Sequence, residues 1–539
     1  MGNLAAFALS GLCLCGAGVN FPRWRDSQSQ ARCDRVAGTG KYLWIMVVLQ
    51  AAISASSLVV EIVAGRMIAP YVGMSLYTWT AIIAVVLAGF SVGHWWGGRI
   101  AAHDSQNALR QTAWTMVAAA LTTAAASLML RGFAGPLIEA FSHPLAAITA
   151  LSMVAFFLPS IFAGIPAPVL TVVAMRGHSQ SERVLGVMFA TGAIGAIFGT
   201  LLAGFFFVPR LGSMTTLMVI AVIYALGAVV CFALARVAGR DLGIGIAACL
   251  ALVGLGYQTL SLPAICDEES KYFCIRTVTL SDAEGARIHL MVLDHLAHGI
   301  SGEAEPRLMQ TDHTAMLDAL PRMRMGAKDF SSFHIGGGSF SVPRGWAAHG
   351  LGQITVAEID PAVTQVAIDD FWLPADQVTV LHEDARMALR NTPTRFDVII
   401  GDAFTDIAVP EHLITKEFFE LVASRLTDGG VFAMNLIDSV DRMDALAAMI
   451  VTLQAVFPSV EVWTEARGPS QGERRVFVLL CGERTSPVSH FAAWGPDPMI
   501  FQPLADAFVA QIVADKQPRV LTDDYAPISA LIGFEPILN

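Results

Sequence analysis

The sequence predicts a multi-pass α-helical membrane domain, followed by a small β-region and an α/β Rossmann-like domain. Three observations lead to this fold class. The 539 residues are 54% hydrophobic and only 15% charged, which is too apolar for a wholly soluble protein. Apolar runs of membrane-spanning length fill the first half of the chain. Short β-branched runs that stop at glycine or a carboxylate fill much of the second half and predict parallel strands.

The charge distribution divides the chain near residue 262. The first part holds 7 acidic and 14 basic residues and the second part 38 and 20, so their net charges of +7 and −18 sum to the −11 of the whole chain. We predict a basic N-terminal segment over 1–41, a transmembrane domain over 42–262, a small β-region over 263–330 and the Rossmann-like domain over 331–539. The acidic second part disfavours nucleic acid as a partner and is compatible with small cationic ligands, although acidity is also a common means of staying soluble.

The transmembrane domain is predicted to have about seven helices, with the lipid bilayer as its partner. Arginines are more frequent in one alternate set of loops, which places the N-terminus inside. Seven crossings then put the C-terminal domain outside, and an error of one crossing reverses this answer. The apolar runs cover about 43–64, 77–98, 112–131, 144–175, 186–208, 213–235 and 242–261. The arginine-rich set contains Arg99, Arg110, Arg176, Arg183, Arg236 and Arg240, against Arg66, Arg131 and Arg210 in the other set.

Cys266 and Cys274 bear on the same question, because they follow closely after the last apolar run. In an oxidising compartment they could form a disulfide. The alternative is two unrelated thiols, one of them packed in a strand. The sequence therefore leaves the side of the membrane that holds the C-terminal domain open.

The C-terminal half places polar residues where four predicted parallel strands end. Glycines after the first strand let the backbone approach a ligand at a helix N-terminus, although their spacing does not match the dinucleotide pattern G-x-G-x-x-G. A carboxylate at the end of the second strand suits two ribose hydroxyls, and one at the end of the third could accept from the exocyclic amine of a purine. The four strand ends carry Gly336-Gly337-Gly338 with Ser339, Glu358 with Asp360, Glu383 with Asp384, and Asp402 with Asp406.

Residues 267–530 resemble the spermidine synthase (polyamine aminopropyltransferase) family, and the whole chain resembles its membrane-fused bacterial members. The resemblance implies a β-region before a methyltransferase-type Rossmann domain, a location in the bacterial inner (plasma) membrane, and a homodimer. Its motifs follow one another through the C-terminal half. They are Glu269-Ser270-Lys271-Tyr272, Leu293-Asp294, the glycine turn, Ala357-Glu358-Ile359-Asp360, Glu383-Asp384-Ala385, Gly401-Asp402-Ala403-Phe404, the stretch from His412 to Phe418, and Thr522-Asp523-Asp524-Tyr525-Ala526-Pro527.

The resemblance implies transfer of an aminopropyl group from decarboxylated S-adenosylmethionine to a diamine such as putrescine. Glu358 would hold the ribose and Asp384 the adenine amine, with the glycine turn, Asp360 and Glu383 completing the cofactor site. Asp402 would be the base that neutralises the incoming ammonium. The amine substrate would also meet residues of the β-region and of two later loops. Those substrate residues are Asp294, His298, Asp406 and Tyr525.

The sequence departs from the family pattern around the donor and acceptor amines. Ser339 stands where the family has an aspartate, and the segment after Asp294 lacks the expected tyrosine and glutamine. Two alternatives therefore stay open: a methyltransferase that uses S-adenosylmethionine itself, and a polyamine-binding sensor or transporter without turnover. We expect no metal, because the histidines lack ligand spacing and the carboxylates sit at separate strand ends. In place of the missing residues the segment offers His295, His298, Gln310 and His313.

Overall fold

The computed structural model describes residues 27–532, apart from positions 142, 177, 238, 327, 404–408 and 494–498. Side chains are described from residue 42 onward, except those of residues 240 and 242. Within these residues a helical domain is followed by a four-stranded sheet and then by a nine-stranded sheet with helices on both faces. The predicted fold class, apolar helices before an α/β domain, is confirmed.

The helical domain contains helices α1 to α9. Two π-helical turns, Met153–Phe157 and Ala203–Phe207, interrupt it. Six helical stretches in the described part are long and apolar enough to cross a membrane, judged by length and composition. The helices are α1 (Ser27–Val72), α2 (Leu76–Ala101), α3 (Ser105–Ala140), α4 (Pro144–Ser152), α5 (Leu158–Gly164), α6 (Pro166–Arg176), α7 (Ser181–Leu202), α8 (Val208–Leu234) and α9 (Arg240–Ser261).

The stretch Ser181–Leu234 consists of two successive segments. Its 54 residues would be about 80 Å long as one straight helix, against a hydrocarbon layer of about 30 Å. The backbone leaves helical geometry at Gly212, where φ is 71° and ψ is 167°. Glycine is suited to this position because it adopts positive φ without steric cost.

Helix α7 runs parallel to α1 and packs closely against it. A Cβ added to Gly195 would lie 2.3 Å from the carbonyl oxygen of Ala51, and one added to Gly199 would lie 2.2 Å from that of Ala55. The residue numbers of the contacting pairs rise together along the two helices, so the two helices run in the same direction. Small residues at this interface let the two backbones approach.

Helix α8 runs in the opposite direction against the same helix. The hydroxyl oxygens of Ser57 and Tyr224 are 3.3 Å apart, and a Cβ on Gly227 would lie 3.2 Å from a methyl carbon of Leu49. The chain therefore reverses between α7 and α8, near Gly212. Within the described residues, the six apolar stretches therefore contain seven consecutive segments, and the number of about seven membrane crossings stays a prediction.

Side-chain contacts assign the connections of the helical domain to its two ends. At the end where α1 starts, Arg176 donates at 2.6 Å to each of the carbonyl oxygens of Ala101 and His103. At that same end Arg110 pairs with Asp241 at 2.8 Å. The connections α2–α3, α6–α7 and α8–α9 therefore lie together.

The opposite end of the helical domain contacts the rest of the chain. Arg131 donates to the carbonyl oxygen of Pro263 at 2.7 Å, and the amide of Ser213 donates to the Glu269 carboxylate at 2.9 Å. Arg66, near the end of α1, also contacts the segment that follows α9. The C-terminal domain thus lies at the end that holds the α7–α8 reversal.

The small sheet is antiparallel in the order β1-β2-β3-β4, and β2 and β3 form a hairpin within the predicted β-region. Cys266 and Cys274 form a disulfide, with their Cα atoms 5.2 Å apart. Of the two alternatives that the sequence left open, the structure has the bonded pair. Helix α10 (Asp312–Met325) leads to the larger sheet. The strands are β1 (Glu268–Glu269), β2 (Cys274–Ser281), β3 (Ile288–Leu293) and β4 (Leu296–Gly302).

The larger sheet has the order β12-β13-β10-β11-β9-β8-β5-β6-β7, and β7, β6, β5, β8 and β9 are parallel neighbours. Both of its faces are buried. On β8, Val398 and Ile400 pack into one hydrophobic cluster and Ile399 into the other. Such two-sided burial is typical of a parallel sheet between helices and explains the continuous apolar runs of the sequence.

The elements of this domain alternate between strands and helices as far as β10. They are β5 (Ser332–Ile335), α11 (Ser341–His349), β6 (Ile354–Ala357), α12 (Pro361–Asp370), β7 (Val378–Leu381), α13 (Ala385–Asn391), β8 (Phe396–Gly401), a 3₁₀ turn (Glu411–Leu413), α14 (Lys416–Ser424), β9 (Leu426–Ser439), α15 (Asp444–Gln454), β10 (Ser459–Glu465), β11 (Arg474–Gly482), β12 (Phe491–Ala493), β13 (Met499–Pro503), α16 (Asp506–Lys516) and α17 (Ile528–Ile532).

Candidate active site

A cavity of about 360 Å³ lies at the carboxyl ends of the parallel strands. This is the edge where open α/β sheets bind ligands. The small sheet closes the cavity on one side, so both parts of the C-terminal half contribute to it. Its lining includes Tyr272, Phe273, Leu293, Leu296, His298, His313, Gly336, Gly338, Glu358, Glu383, Asp384, Asp402, Pro410, His412, Asn435 and Arg474.

The glycine turn after β5 is held tightly against the end of β8. Gly336 and Gly338 have positive φ values of 89° and 51°, which glycine adopts most easily. A Cβ on Gly336 would lie 2.5 Å from the carbonyl oxygen of Asp402. The turn therefore exposes backbone to the cavity at a place where a side chain would not fit.

Glu358 follows β6 and is buried, with 6% of its surface exposed. Its two carboxylate oxygens accept from the amides of Gly337 at 2.8 Å and Asp360 at 2.9 Å. Burial raises the pKa of Glu358, and these backbone hydrogen bonds act in the opposite direction. Each carboxylate oxygen keeps a second lone pair, so Glu358 can accept two hydroxyls from the cavity side.

Asp360 lies beside the cavity but does not line it. It caps α12 by accepting from the amide of Ala362 at 3.0 Å, and its other oxygen accepts from the hydroxyl of Ser270. Burial raises the pKa of Asp360 as well. Its contacts connect the end of β6 to the segment between β1 and β2. Asp360 therefore supports the residues that line the cavity and does not line it itself.

Glu383 and Asp384 follow β7, and both line the cavity. One oxygen of Asp384 caps α13 through the amide of Met387 at 3.0 Å. The other oxygen is 2.7 Å from Nε2 of His412. Asp384 and His412 thus form a joined donor and acceptor pair at the predicted adenine end of the cavity.

Asp402 follows β8 and lines the cavity beside Asn435 of β9. The Asn435 side-chain amide donates to Asp402 Oδ1 at 3.0 Å. Asn435 Oδ1 is buried and has no hydrogen-bond partner within the described residues. The pair presents oxygen acceptors to the cavity, which suits an amine ligand.

Two histidines from outside the large sheet complete this end of the cavity. Burial lowers the pKa of His298 to about 4, with the nearby His313 and His295 adding to the shift, so His298 is neutral at pH 7. Burial also lowers the pKa of His313, but its hydrogen bond to Asp312 and the charges of Asp402 and Asp312 outweigh that effect and raise it. Asp402 is thus one of the groups whose charge raises the pKa of His313.

Five residues predicted for the site do not line the main cavity: Gly337 and Asp360, described above, and Ser339, Asp294 and Tyr525. The buried Ser339 hydroxyl is 2.7 Å from that of Ser341. Asp294, also buried, accepts from the amide of Cys274 at 2.9 Å. Tyr525 is 50% exposed, with its ring 5.8 Å from the Arg519 guanidinium carbon. A further predicted residue, Asp406, falls outside the described residues.

Sequence reasoning missed several lining residues. Tyr272 and Phe273 come from the small β-region, and Asn435 comes from a strand that we did not assign to the site. A signal for Asn435 is present in the sequence, since it is a polar residue inside the apolar run Val-Phe-Ala-Met-Asn-Leu-Ile. Buried polar side chains are normally hydrogen-bonded, so one inside such a run indicates a polar partner nearby.

The fold and the cavity define the class: an α/β domain of the methyltransferase type, with a ligand cavity at the carboxyl ends of its parallel strands, attached to long apolar helices. Comparison with known proteins narrows the class of protein further. Residues 332–480 match the family model described as the spermine/spermidine synthase domain. The resemblance seen in the sequence motifs is thereby confirmed for residues 332–480.

Two curated relatives and one solved structure are similar to this part. The N-terminal histidine N-methyltransferase of Emericella nidulans is 32% identical over 190 residues, covering 34% of this chain and 32% of that protein. The probable polyamine aminopropyl transferase of Bifidobacterium longum is 28% identical over 195 residues, covering 33% and 43%. A probable spermidine synthase from Corynebacterium glutamicum has a TM-score of 0.39 and 20% identity, covering 46% of this chain and 93% of that one. The chain thus spans less than half the length of these two curated relatives.

Proposed function

We propose that this protein is a membrane-bound aminopropyltransferase that moves an aminopropyl group from decarboxylated S-adenosylmethionine to a small diamine such as putrescine. The observation that carries the proposal is the cavity itself. It joins a nucleoside-type end, with Glu358 and Asp384, to an amine-type end, with Asp402 and Asn435. The match of residues 332–480 to the spermine/spermidine synthase domain supports the same reaction class.

In this proposal Glu358 holds the ribose and Asp384, with His412, holds the adenine edge. The glycine turn and Glu383 complete the donor site, and Asp360 supports it by accepting from Ser270. The residues present suit such a donor, because its hydroxyls and amines are hydrogen-bond donors and the cavity supplies carboxylate acceptors. When bound, the donor supplies a carbon activated by the neighbouring sulfonium.

Asp402 is the base in the proposed reaction. A protonated amine has no lone pair with which to attack, so Asp402 first binds the ammonium and then accepts its proton. The new C–N bond forms as the C–S bond breaks, and the bonding electrons return to sulfur to give neutral methylthioadenosine. Asn435 holds Oδ1 of Asp402, and its own buried Oδ1 can accept from the same amine. His298 lies at this end of the cavity as a neutral contact for the substrate.

A second candidate is methyl transfer from S-adenosylmethionine itself. That donor differs from the decarboxylated one by a carboxylate, and the cavity is lined by Arg474 and by His313, whose pKa is raised. The donor-side acid of the family is replaced by Ser339, which lies outside the main cavity. The similarity to a histidine N-methyltransferase also favours this candidate. Mass spectrometry of the acceptor decides between them, because the two products differ by one aminopropyl or one methyl group.

We also propose that the C-terminal domain lies on the outer side of the bacterial inner membrane. Seven crossings put it opposite the N-terminus, and the arginine-rich connections lie together at the N-terminal end of the helical domain. The disulfide between Cys266 and Cys274 supports an oxidising compartment. This location requires that the adenosyl donor reach the outer side.

Reporter fusions after residue 539 test this location. Alkaline phosphatase is active only outside the cytoplasm, and green fluorescent protein exported in unfolded form is fluorescent only inside it. We expect an active phosphatase fusion and a dark fluorescent fusion. The reverse pattern would place the domain in the cytoplasm and would contradict the proposed crossing number.

A further inference from the structure

Residues 269–273, which we name the connecting segment, lie between the helical domain and the cavity. Tyr272 and Phe273 line the cavity directly. Ser270 is buried, and its hydroxyl oxygen accepts from the amides of Tyr272 at 3.0 Å and Phe273 at 2.9 Å. The segment is therefore a tight turn in which the position of the backbone determines where the two aromatic rings stand.

Arg66 of α1 holds this turn from the membrane side. Its two terminal nitrogens donate to the carbonyl oxygens of Tyr272 and Ser270, the second at 3.0 Å. Hydrogen bonds from a charged donor are stronger than neutral ones. The guanidinium fork fixes both carbonyls at once, which a single donor would not do.

A second element of the helical domain holds the same segment. The carboxylate of Glu269 accepts from both the amide and the hydroxyl of Ser213, directly after the reversal at Gly212. Helices α1 and α8 are antiparallel neighbours, so the segment is bonded to both of them at one end of the helical domain. A shift of one helix relative to the other would move the segment.

From the segment a continuous series of hydrogen bonds reaches the floor of the cavity. The Ser270 hydroxyl donates to Asp360, whose amide donates to Glu358 at 2.9 Å, and Glu358 also accepts from the amide of Gly337 at 2.8 Å. Arg66 is therefore connected to the glycine turn through three successive residues, Ser270, Asp360 and Glu358. All of these contacts involve buried or partly buried groups, where geometry is closely specified.

We infer that Arg66 is a positioning residue for the nucleoside pocket, so that the helical domain forms part of the structure of the site in addition to attaching it to the membrane. The inference rests on the nucleoside site of the proposed function and not on which group is transferred. It follows that ligand binding and the packing of α1 against α8 are coupled, and that the coupling is reciprocal.

The test compares Arg66→Gln with Arg176→Gln in the full-length protein in detergent. Arg176 is a matched control, because it also donates two hydrogen bonds to backbone carbonyls but does so at the far end of the helical domain. Binding of methylthioadenosine by calorimetry is the readout. Arg66→Gln should weaken binding by about tenfold, as expected for loss of charge-assisted hydrogen bonds, whereas Arg176→Gln should leave affinity unchanged.

Further variants distinguish positioning from general instability. Arg66→Lys, which keeps a charged donor, should restore part of the lost affinity. Ser213→Ala should weaken binding by a smaller factor, since the hydrogen bond from the backbone amide of residue 213 to the Glu269 carboxylate is retained. If wild-type protein binds methylthioadenosine and Arg66→Gln binds it equally well, the inference is wrong while the proposed function stands. If wild-type protein binds no nucleoside, the proposed function and this inference both fail.

Discussion

Replacement of Asp402 by asparagine separates chemistry from binding at this site. Asparagine is nearly the same size and keeps an oxygen to accept from Asn435, which lies 3.0 Å from Oδ1 in the native protein. It has no charge to bind an ammonium and accepts no proton at neutral pH. We therefore expect Asp402→Asn to fold normally and to keep its nucleoside affinity while losing turnover.

The size of the expected loss of turnover follows from the role of Asp402 as a general base. A positioned general base contributes about 100- to 10,000-fold, or about 3 to 5.5 kcal/mol of transition-state stabilisation. The assay is release of methylthioadenosine from decarboxylated S-adenosylmethionine and putrescine, with calorimetry to confirm that the nucleoside still binds. Asp428→Asn serves as the control, because the Asp428 side chain is fully exposed and does not line the cavity. An unchanged rate in Asp402→Asn would refute the assignment of Asp402 as the base.

Three further predictions concern binding and stability. Glu358→Gln should weaken methylthioadenosine binding by about tenfold or more in calorimetry, because one of two backbone amides then faces an NH₂ group instead of an acceptor; unchanged affinity would remove Glu358 from the ribose site. Burial raises the pKa of Asp294, so its charged form costs stability above that pKa. Asp294→Asn should therefore be more thermostable than wild type at pH 7, with the gain shrinking as the pH falls below the raised pKa, and a gain that grows at low pH would contradict this. Replacing Cys266 and Cys274 by serine should cost about 2.5 kcal/mol of stability in thermal unfolding, the entropy of closing an eight-residue separation; an unchanged melting temperature under oxidising conditions would contradict it.

The strand ends were predictable because parallel strands deliver their carboxyl ends to one edge. Glu358, Glu383, Asp384 and Asp402 were all placed there from the sequence, and all four line the cavity. Periodicity and β-branched runs contain this information, since each strand is short and ends at a polar residue. Their hydrogen-bond partners depend on strand order, which the sequence does not specify.

Asn435 illustrates that limit. It meets Asp402 because β8 and β9 are parallel neighbours in a register that pairs Gly401 with Met434. Asp294 shows the opposite case, a family-like carboxylate that accepts from the Cys274 amide and does not line the cavity. Its position depends on the turn between β3 and β4, where it has a positive φ of 54°.

The apolar helices of the first half were predictable from the sequence, whereas their contacts with the site were not. Composition and length determine the apolar runs, and the described residues contain seven segments once the reversal at Gly212 is recognised. The contact between Arg66 and the connecting segment joins residues 204 and 206 positions apart. No local sequence pattern indicates such a pair, because an arginine near the end of a membrane helix is common and looks the same whether or not it contacts a distant segment.

The most direct test of the proposed function uses purified full-length protein with decarboxylated S-adenosylmethionine and putrescine, analysed by mass spectrometry. We predict equal amounts of methylthioadenosine and of a diamine enlarged by one aminopropyl group. A parallel reaction with S-adenosylmethionine should leave the diamine unmodified. A methylated product with S-adenosylhomocysteine, or no product with either donor, would contradict the proposal.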